Sequence, residues 1–284
     1  MKTSNKSAIK ILSLIAVMTM LALVYSANVY AATSFSSTQW DGNSWESETT
    51  SSYDRARHET TRWQELDRGP DGSNGVNDPK DFGISWKTGS GTWGNDDLYV
   101  SLGDTVSFQF KMHKDSKGTH YADYLKAWVD MGADGSYDDP TDKIFFQEEK
   151  LSDIGSQRVF TYEAQTTITQ AHLDDGSLWL RARVSCSHSL LEEFYKDNQR
   201  SGDYDWDDQF KWNTDRKNSS YWAGIWKSYE DMFSPTGYYY QGEVEEWKIG
   251  LLHRPGNVIP EPGTMVLFGF GLLGIAKIGR RKSQ

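Results

Sequence analysis

The chain has 284 residues, of which 40 are acidic and 30 are basic, so its formal net charge is −10. This balance disfavours nucleic-acid binding, which depends on clusters of Lys and Arg that contact phosphate. A single cysteine, Cys186, excludes an internal disulfide, so rigidity has to come from the hydrophobic core, from a bound metal, or from both.

The first 31 residues have the three parts of a secretory signal peptide. Three lysines form a basic start, and Ile11–Val24 is an apolar run that is short for a membrane span. Val29 and Ala31 provide small or tolerated residues at the −3 and −1 positions, which predicts cleavage after Ala31. A retained membrane anchor is the alternative. We therefore expect an exported protein whose mature part begins at residue 32.

Residues 32–100 are predicted to form the N-terminal part of a β domain with polar loops. The charged segment Tyr53–Arg68 is interpreted as a short helix, and residues 69–79 form a loop by composition. Short strands are predicted at Phe82–Trp86 and Asp97–Val100 on either side of a glycine-rich turn. This region is expected to pack against the strands that follow it.

Between residues 101 and 251 the apolar residues alternate with a period of two, which is typical of β-strands. The predicted strands are Thr105–Met112, Tyr124–Val129, Lys143–Gln147, Arg158–Tyr162, Gln165–Ile168, Leu178–Cys186 and Gly242–Ile249. Such short strands, with turn signals between them, predict an all-β protein, an antiparallel β-sandwich of jelly-roll or immunoglobulin-like type. A long aromatic and charged insertion at 187–240, with helical turns near Leu190–Asn198, departs from this rhythm. Tyr124–Val129 is expected to be half-buried, and Cys186 to be a small buried apolar residue.

The strand Tyr124–Val129 ends in an acidic loop, residues 130–139, with four aspartates around Gly135. Carboxylates this close repel one another unless a cation lies between them, and oxygen ligands around a sharp glycine turn suit Ca²⁺. The predicted ligands are the side chains of Asp130, Asp134 and Asp139, with Asp138 binding directly or through water, and a carbonyl oxygen of Ser136 or Tyr137. The loop begins like an EF-type calcium loop, but Gly132 and Thr141 replace two of the usual ligands. The alternative is a solvated Asp/Gly turn.

Arg181 and Arg183 alternate with the apolar residues of Leu178–Cys186, so they share the face opposite the core. Glu243 and Glu245 share one face of the last predicted strand in the same way. We predict cross-strand ion pairs between these arginines and glutamates. A second interpretation is that the two glutamates complete the calcium site from across the sheet.

The last 25 residues, 260–284, follow a linker at 252–259 and have a distinctive order. Pro260, Glu261 and Pro262 precede the apolar run Met265–Ala276, and the basic residues of the end are Lys277, Arg280, Arg281 and Lys282. This tail resembles the PEP-CTERM sorting signal of Gram-negative bacteria. The resemblance implies a C-terminal hydrophobic helix, transient anchoring in the inner membrane, and cleavage by the membrane protease exosortase. An ordinary C-terminal anchor is the alternative.

Three segments in order, AWVDMGADGSYDD, LWLRARVS and GEVEEW, carry a second resemblance. Together they are similar to the GEVED domain of bacterial surface and secreted proteins, over roughly Ser101–Leu251. Glu246 stands where the family has Asp, Gly132 stands where it tends to have Asn, and the 187–240 insertion is longer than its usual connection. The resemblance implies a β-sandwich module in a surface or matrix protein and supplies no enzymatic activity.

The sequence shows no nucleophile elbow, phosphate-binding loop or metal-ligand spacing of histidines, so no catalytic residues are assigned. We expect a non-enzymatic, structural or adhesive protein at the cell envelope or in the extracellular matrix of a Gram-negative bacterium. The alternative is a module that binds extracellular polysaccharide through aromatic residues of Trp206–Tyr240. A secreted hydrolase is a third, less favoured interpretation, because a pair of acidic residues can always be found in a chain this acidic.

Overall fold

The computed structural model describes residues 32–40, 45–53, 55–60, 64–66, 83–114, 120–150, 158–198 and 227–253. The predicted signal peptide, the loop at 69–79, the middle of the 187–240 insertion and the sorting tail lie outside these residues. The strands in chain order are β1 (Thr33–Ser34), β2 (Ser36–Trp40), β3 (Trp45–Thr49), β4 (Ala56–Thr60), β5 (Gln64–Leu66), β6 (Ile84–Thr88), β7 (Leu98–Val100), β8 (Thr105–Lys114), β9 (Ala122–Val129), β10 (Lys143–Lys150), β11 (Val159–Thr167), β12 (Ser177–Cys186), β13 (Gly237–Gln241) and β14 (Glu243–His253). The helices are α1 (Gln170–Asp175), α2 (Ser187–Asp197) and α3 (Tyr229–Met232).

The central sheet has the strand order β1–β14–β12–β9–β10, and β7 also pairs with β14. The second sheet has the order β11–β8–β5, and β6 also pairs with β8. Nearly all of these pairings are antiparallel, with β14–β7 as a parallel exception. The predicted all-β, antiparallel sandwich is thus confirmed.

The hydrophobic core lies between these two sheets and is built from the residues whose alternation predicted the strands. β8 contributes Val106, Phe108, Phe110 and Met112, β9 contributes Leu125, Ala127 and Val129, and β12 contributes Leu178, Leu180, Ala182 and Val184. Burial of apolar surface on this scale is the main stabilising contribution in a domain of this size. Cys186, predicted to be buried, is indeed fully buried.

A third layer covers the other face of the central sheet. It consists of a sheet with the order β13–β4–β3–β2, in which β13 and β4 run parallel, together with α2 and α3. Tyr124 of β9 packs there with Leu191, Tyr229 and Tyr239. Every residue of β9 is consequently buried. The prediction of a half-buried strand is wrong because a second apolar layer replaces solvent on that face.

Two further predictions differ from the structure. The segment Tyr53–Arg68, interpreted as a helix, contains the strands β4 and β5 instead, since pairing with β3, β13 and β8 outweighs its weak local preference. The two strands predicted between Arg158 and Ile168 form one strand, β11, which pairs with β8 along its length. No helix in the described residues is long and apolar enough to cross a membrane.

Candidate functional site

The connection between β9 and β10, residues 130–142, contains the acidic loop (130–139) and is held from within by two buried carboxylates. Asp130 and Asp142 have relative exposures of 1% and 2%. Asp130 accepts hydrogen bonds from the backbone N–H groups of Asp134 and Gly135, at 3.1 and 2.9 Å. Asp142 accepts two more from backbone N–H groups of the loop, both at 3.0 Å. These side chains satisfy amide groups that the tight turn removes from water.

The outer carboxylates of the loop are exposed and make local turns. Asp134 accepts a hydrogen bond from the backbone N–H of Ser136 at 3.0 Å, and Asp138 accepts one from the Ser136 hydroxyl at 2.5 Å. Asp139 accepts from both the backbone N–H and the hydroxyl of Thr141, at 2.8 Å each. These two bonds lower the pKa of Asp139, so its charge is locally stabilised.

The predicted calcium ligands thus fall into two groups. Asp130 is buried beneath the loop, whereas Asp134, Asp138 and Asp139 form an exposed rim. The Asp130 carboxylate is engaged by the loop amides and by the Tyr53 hydroxyl, at 2.7 Å. Among the residues that the structure describes, no three or more His, Cys, Asp or Glu side chains are grouped to hold a metal. The rim offers oxygen donors only, which is the chemistry that Ca²⁺ prefers. Calcium binding by Asp130, Asp134 and Asp139, with Asp138 and a carbonyl oxygen of Ser136 or Tyr137, stays a prediction.

Tyr137, predicted to offer its carbonyl oxygen to the metal, turns its side chain inward. The side chain is 3% exposed, and its hydroxyl donates to Glu246 Oε1 at 3.2 Å. Its ring lies against the Arg181 guanidinium, 4.5 Å from Cζ to the ring centroid. Burial and then the negative charge of Glu246 raise the pKa of Tyr137 well above its usual value. The aromatic ring therefore fastens the acidic loop to the central sheet.

Arg181 and Glu246 form a buried ion pair between β12 and β14. They are directly opposite each other in the strand register, and both side chains are 0% exposed. Arg181 donates to Glu246 Oε1 through Nε at 3.0 Å and through Nη2 at 2.5 Å. The other carboxylate oxygen, Oε2, is buried with no hydrogen-bond partner among the described residues. A pair of this kind is costly to break, because either charge alone would be stranded out of water.

The predicted pairing of the arginines with Glu243 and Glu245 is wrong. The register places Glu243 opposite Val184 and Glu245 opposite Ala182, on the face of the sheet that looks toward the core. Glu243 accepts a hydrogen bond from the backbone N–H of Leu66 in the second sheet at 2.5 Å. Because side chains alternate with a period of two, an offset of one residue exchanges the faces of the whole set.

Arg183 is fully buried beside the third layer. Its Nη1 donates to the carbonyl oxygens of Ser234 and Thr236, both at 3.0 Å, and its Nε donates to His58 Nε2 at 3.1 Å. The Tyr239 ring lies 4.5 Å from Cζ. No carboxylate in the described part of the chain lies within ion-pair distance of it. Burial lowers the pKa of Arg183 to about 9, so the guanidinium still carries its charge at neutral pH.

His58 is neutral, and its tautomer follows from its neighbours. The Arg183 Nε–H group can only donate, so Nε2 of His58 accepts and Nδ1 carries the proton. Nδ1 then donates to the Gln241 carbonyl oxygen at 3.0 Å. Burial and the nearby Arg183 charge lower the pKa of His58 well below its usual value. The imidazole thus joins β4 of the third layer to both β12 and β13.

A groove of about 450 Å³ runs between the acidic loop and the segment after α3. Its lining includes charged residues from both sides, namely Asp138, Asp139, Lys126, Lys143, Glu230 and Asp231. Lys126 donates to the carbonyl oxygens of Glu230 and Phe233 at 2.5 and 2.8 Å, and Lys143 pairs with the Glu230 carboxylate. The groove is thus polar, and its shape depends on the loop and on α3 together.

The aromatic residues proposed for sugar stacking, Trp206–Tyr240, fall mostly outside the described residues. Of those that are described, Phe233 and Tyr239 are buried in the third layer, with exposures of 0% and 4%. Tyr240 is 39% exposed. Tyr240 is therefore the most exposed aromatic residue in the described part of this range.

Several residues that hold this region together were not predicted from the sequence: His58, Tyr53, Asp142 and Glu246 as a charge partner. For Asp142 the D-x-x-D spacing from Asp139 was a usable signal, because carboxylates commonly accept from amides near them in a turn. His58 and Tyr53 had no such signal, since their partners lie 183 and 77 residues away in the chain.

The described residues form a β-sandwich whose buried charges join its layers. When the sequence is compared with models of known protein families, the model of the PEP-CTERM protein-sorting motif matches residues 258–282. This match covers the Pro260–Pro262 segment and the basic residues that follow the apolar run, in agreement with the sequence interpretation. The chain therefore carries a PEP-CTERM sorting signal, which implies export, processing by exosortase and a location in the cell envelope or extracellular space of a Gram-negative bacterium. No curated protein and no solved structure matches the chain.

Proposed function

We propose that the exported sandwich is a structural or adhesive component of the cell surface or extracellular matrix, built on a GEVED-like module. The observation that carries this proposal is the order of three strands in the central sheet. β12, with its two arginines, lies between β9, which leads into the acidic loop, and β14, which holds the GEVEEW segment. The three segments of the sequence resemblance therefore meet in space, and Arg181 and Glu246 pair between two of them.

The charged residues at the centre of this arrangement support a structural role. Arg181, Arg183, Asp130 and Asp142 are buried and engaged by backbone groups or by an ion pair. Catalytic acids and bases need access to a substrate and contact with its reacting atoms. We accordingly propose that the protein is not an enzyme. A screen for hydrolysis of polysaccharide and ester substrates addresses the hydrolase alternative.

The sorting tail provides the direct test. Deleting residues 260–284 should leave the protein exported but without exosortase processing, and the amount retained on cells or in the matrix should fall. Ser283→Ala, in the tail but outside the Pro-Glu-Pro and basic segments, is the matched control and should behave as wild type. The measurements are cell fractionation and intact mass of the exported protein. A mature species that still carries Arg280–Lys282, or equal matrix retention without the tail, would contradict the proposal.

A carbohydrate-binding function is a second proposal, supported by the groove of about 450 Å³ beside the acidic loop. Its ligand would be the extracellular polysaccharide of the producing cell, held by the charged rim. Asp139→Ala and Lys143→Ala should reduce retention on that polysaccharide at least tenfold if the groove binds it. Glu163→Ala, on β11 of the second sheet, is the control. If all three variants are retained on the polysaccharide as strongly as wild type, the structural function is the better proposal.

A further inference from the structure

At the end of β9 opposite the acidic loop, a buried polar cluster bridges the two sheets of the sandwich. Lys114 ends β8 of the second sheet, and Asp123 lies at the start of β9 in the central sheet. Their side chains are 1% and 0% exposed, and Lys114 Nζ donates to Asp123 Oδ2. The other carboxylate oxygen, Asp123 Oδ1, is buried with no hydrogen-bond partner among the described residues.

The surroundings of this pair are closed to water. His120 is 3% exposed, and its Nδ1 lies 4.0 Å from Asp123 Oδ1 and 3.2 Å from Nε2 of the buried Gln64. Cys186 lies opposite Asp123 in the strand register and is fully buried. A nucleophilic amine, a carboxyl group and an imidazole are thus held together in one dry site.

The electrostatics of the site favour the uncharged forms of these groups. An ion pair that is removed from water loses hydration that its mutual attraction replaces only in part. Burial lowers the pKa of Lys114 to about 8, so a fraction of the amine is neutral near neutral pH. Burial also lowers the pKa of His120 to about 3, so its imidazole is neutral and adds no positive charge beside the amine. A proton passed from Lys114 to Asp123 leaves an amine facing a carboxylic acid.

We propose that Lys114 and Asp123 join in an intramolecular isopeptide bond. The neutral Nζ attacks Cγ of the protonated carboxyl group, and a C–N bond forms as one C–O bond breaks. The departing oxygen leaves as water, with one hydrogen from the carboxylic acid and one from the amine, and the other oxygen becomes the amide carbonyl. His120 is placed to carry the proton from the amine to the leaving oxygen. The condensation needs no oxidant and no co-reactant, and holding both groups in contact replaces the activation that free reactants require.

The bond would supply a covalent cross-link between the sheets in an exported chain that has a single cysteine. It would connect β8 to β9 at the end of the sandwich where α2 begins. The inference does not depend on the proposed adhesive or carbohydrate-binding function, because it concerns a modification of the chain itself.

Intact mass of the full exported protein, measured after denaturation, tests the proposal. The wild type should be lighter than its sequence mass by one water molecule, whereas Lys114→Arg should have its full sequence mass. Asp123→Asn should lose ammonia instead of water and reach the same final mass as wild type. A wild-type protein at its full sequence mass would overturn the proposal, whether or not the variants fold.

Tryptic digestion locates the bond. An acylated Lys114 is not cut, so cleavage after Lys117 should give a branched species in which the peptide containing Lys114 is joined to Gly118–Lys126 and which shows two amino termini on fragmentation. Recovery of separate linear peptides, or a lost water placed on any other residue, would overturn the assignment. His120→Gln should lower the cross-linked fraction soon after synthesis. Cross-linking at the wild-type rate in that variant would remove His120 from the reaction.

Discussion

Replacing Glu246 by Gln isolates the charge of the buried pair with Arg181. The amide keeps the shape of the side chain and one oxygen acceptor, but the Arg181 charge loses its counter-charge in a site where both side chains are 0% exposed. Breaking a buried ion pair by removing one partner costs about 3–5 kcal/mol. For a protein of this size, each kcal/mol lowers the melting temperature by about 2–4 °C, so we expect a decrease of roughly 6–20 °C.

The assay is thermal and urea unfolding of wild type and of Glu246→Gln, followed by circular dichroism. Arg55→Ala is the matched control, because Arg55 and Glu48 form a pair of similar length, 2.7 Å, with exposures of 73% and 22%. An exposed pair contributes about 0–1 kcal/mol. The double variant Arg181→Met with Glu246→Leu removes both charges and should recover much of the loss. If Glu246→Gln destabilises the protein no more than Arg55→Ala, the buried pair does not hold β12 to β14 in the way described.

Three further predictions concern the acidic loop, a glycine and a histidine. With Ca²⁺ at 100 times its Kd, the free energy of unfolding of wild type should be about 2.7 kcal/mol higher than with chelator. The increase should be smaller for Asp134→Ala. If wild type melts at the same temperature in both solutions, calcium does not bind. Gly242→Ala should cost at least about 3 kcal/mol, because φ is +127° and a Cβ would lie 1.9 Å from the Val184 carbonyl oxygen. Gly103→Ala, with φ of +82° and nothing within 4 Å, should cost about 1–2 kcal/mol in the same urea titration; similar losses would contradict the steric argument. Since burial lowers the pKa of His58, the unfolded state binds the proton more readily, and stability should be retained above about pH 6.5 and fall below it by about 1.4 kcal/mol per pH unit. His58→Gln should flatten that part of the profile, and a variant as acid-sensitive as wild type would argue against the assignment.

The core strands could be predicted because their signal is local. In β8 and β12 the apolar residues alternate over ten residues, and the inward-facing set in the structure is the set that the alternation predicted. The burial of the second face of β9 could not be predicted in this way. The residues that cover it come from α2, α3 and β13, among them Leu191, Tyr229 and Tyr239, and they are distant from β9 in the chain, so no local pattern in β9 indicates the contact.

The candidate site was predicted only in part, because local composition indicates the loop but not its long-range contacts. The acidic loop was found from its composition, but the division of its aspartates into buried and exposed groups depends on contacts with Tyr53 and with the loop amides. The ion pair was assigned to the wrong glutamates because the register between β12 and β14 is a long-range property. Alternation within one strand gives two possible faces, and the partner strand decides between them.

The position of β14 limits how the protein leaves the membrane. This strand is hydrogen-bonded to β12 on one side and to β1 on the other, and it ends at His253, seven residues before Pro260. Seven residue steps span at most about 25 Å, so the folded body must stand within that distance of the protease when the chain is cut near the Pro-Glu-Pro segment. Force applied to the tail while it is held in the bilayer acts along a strand in the interior of the sheet, where a whole ladder of hydrogen bonds resists in shear.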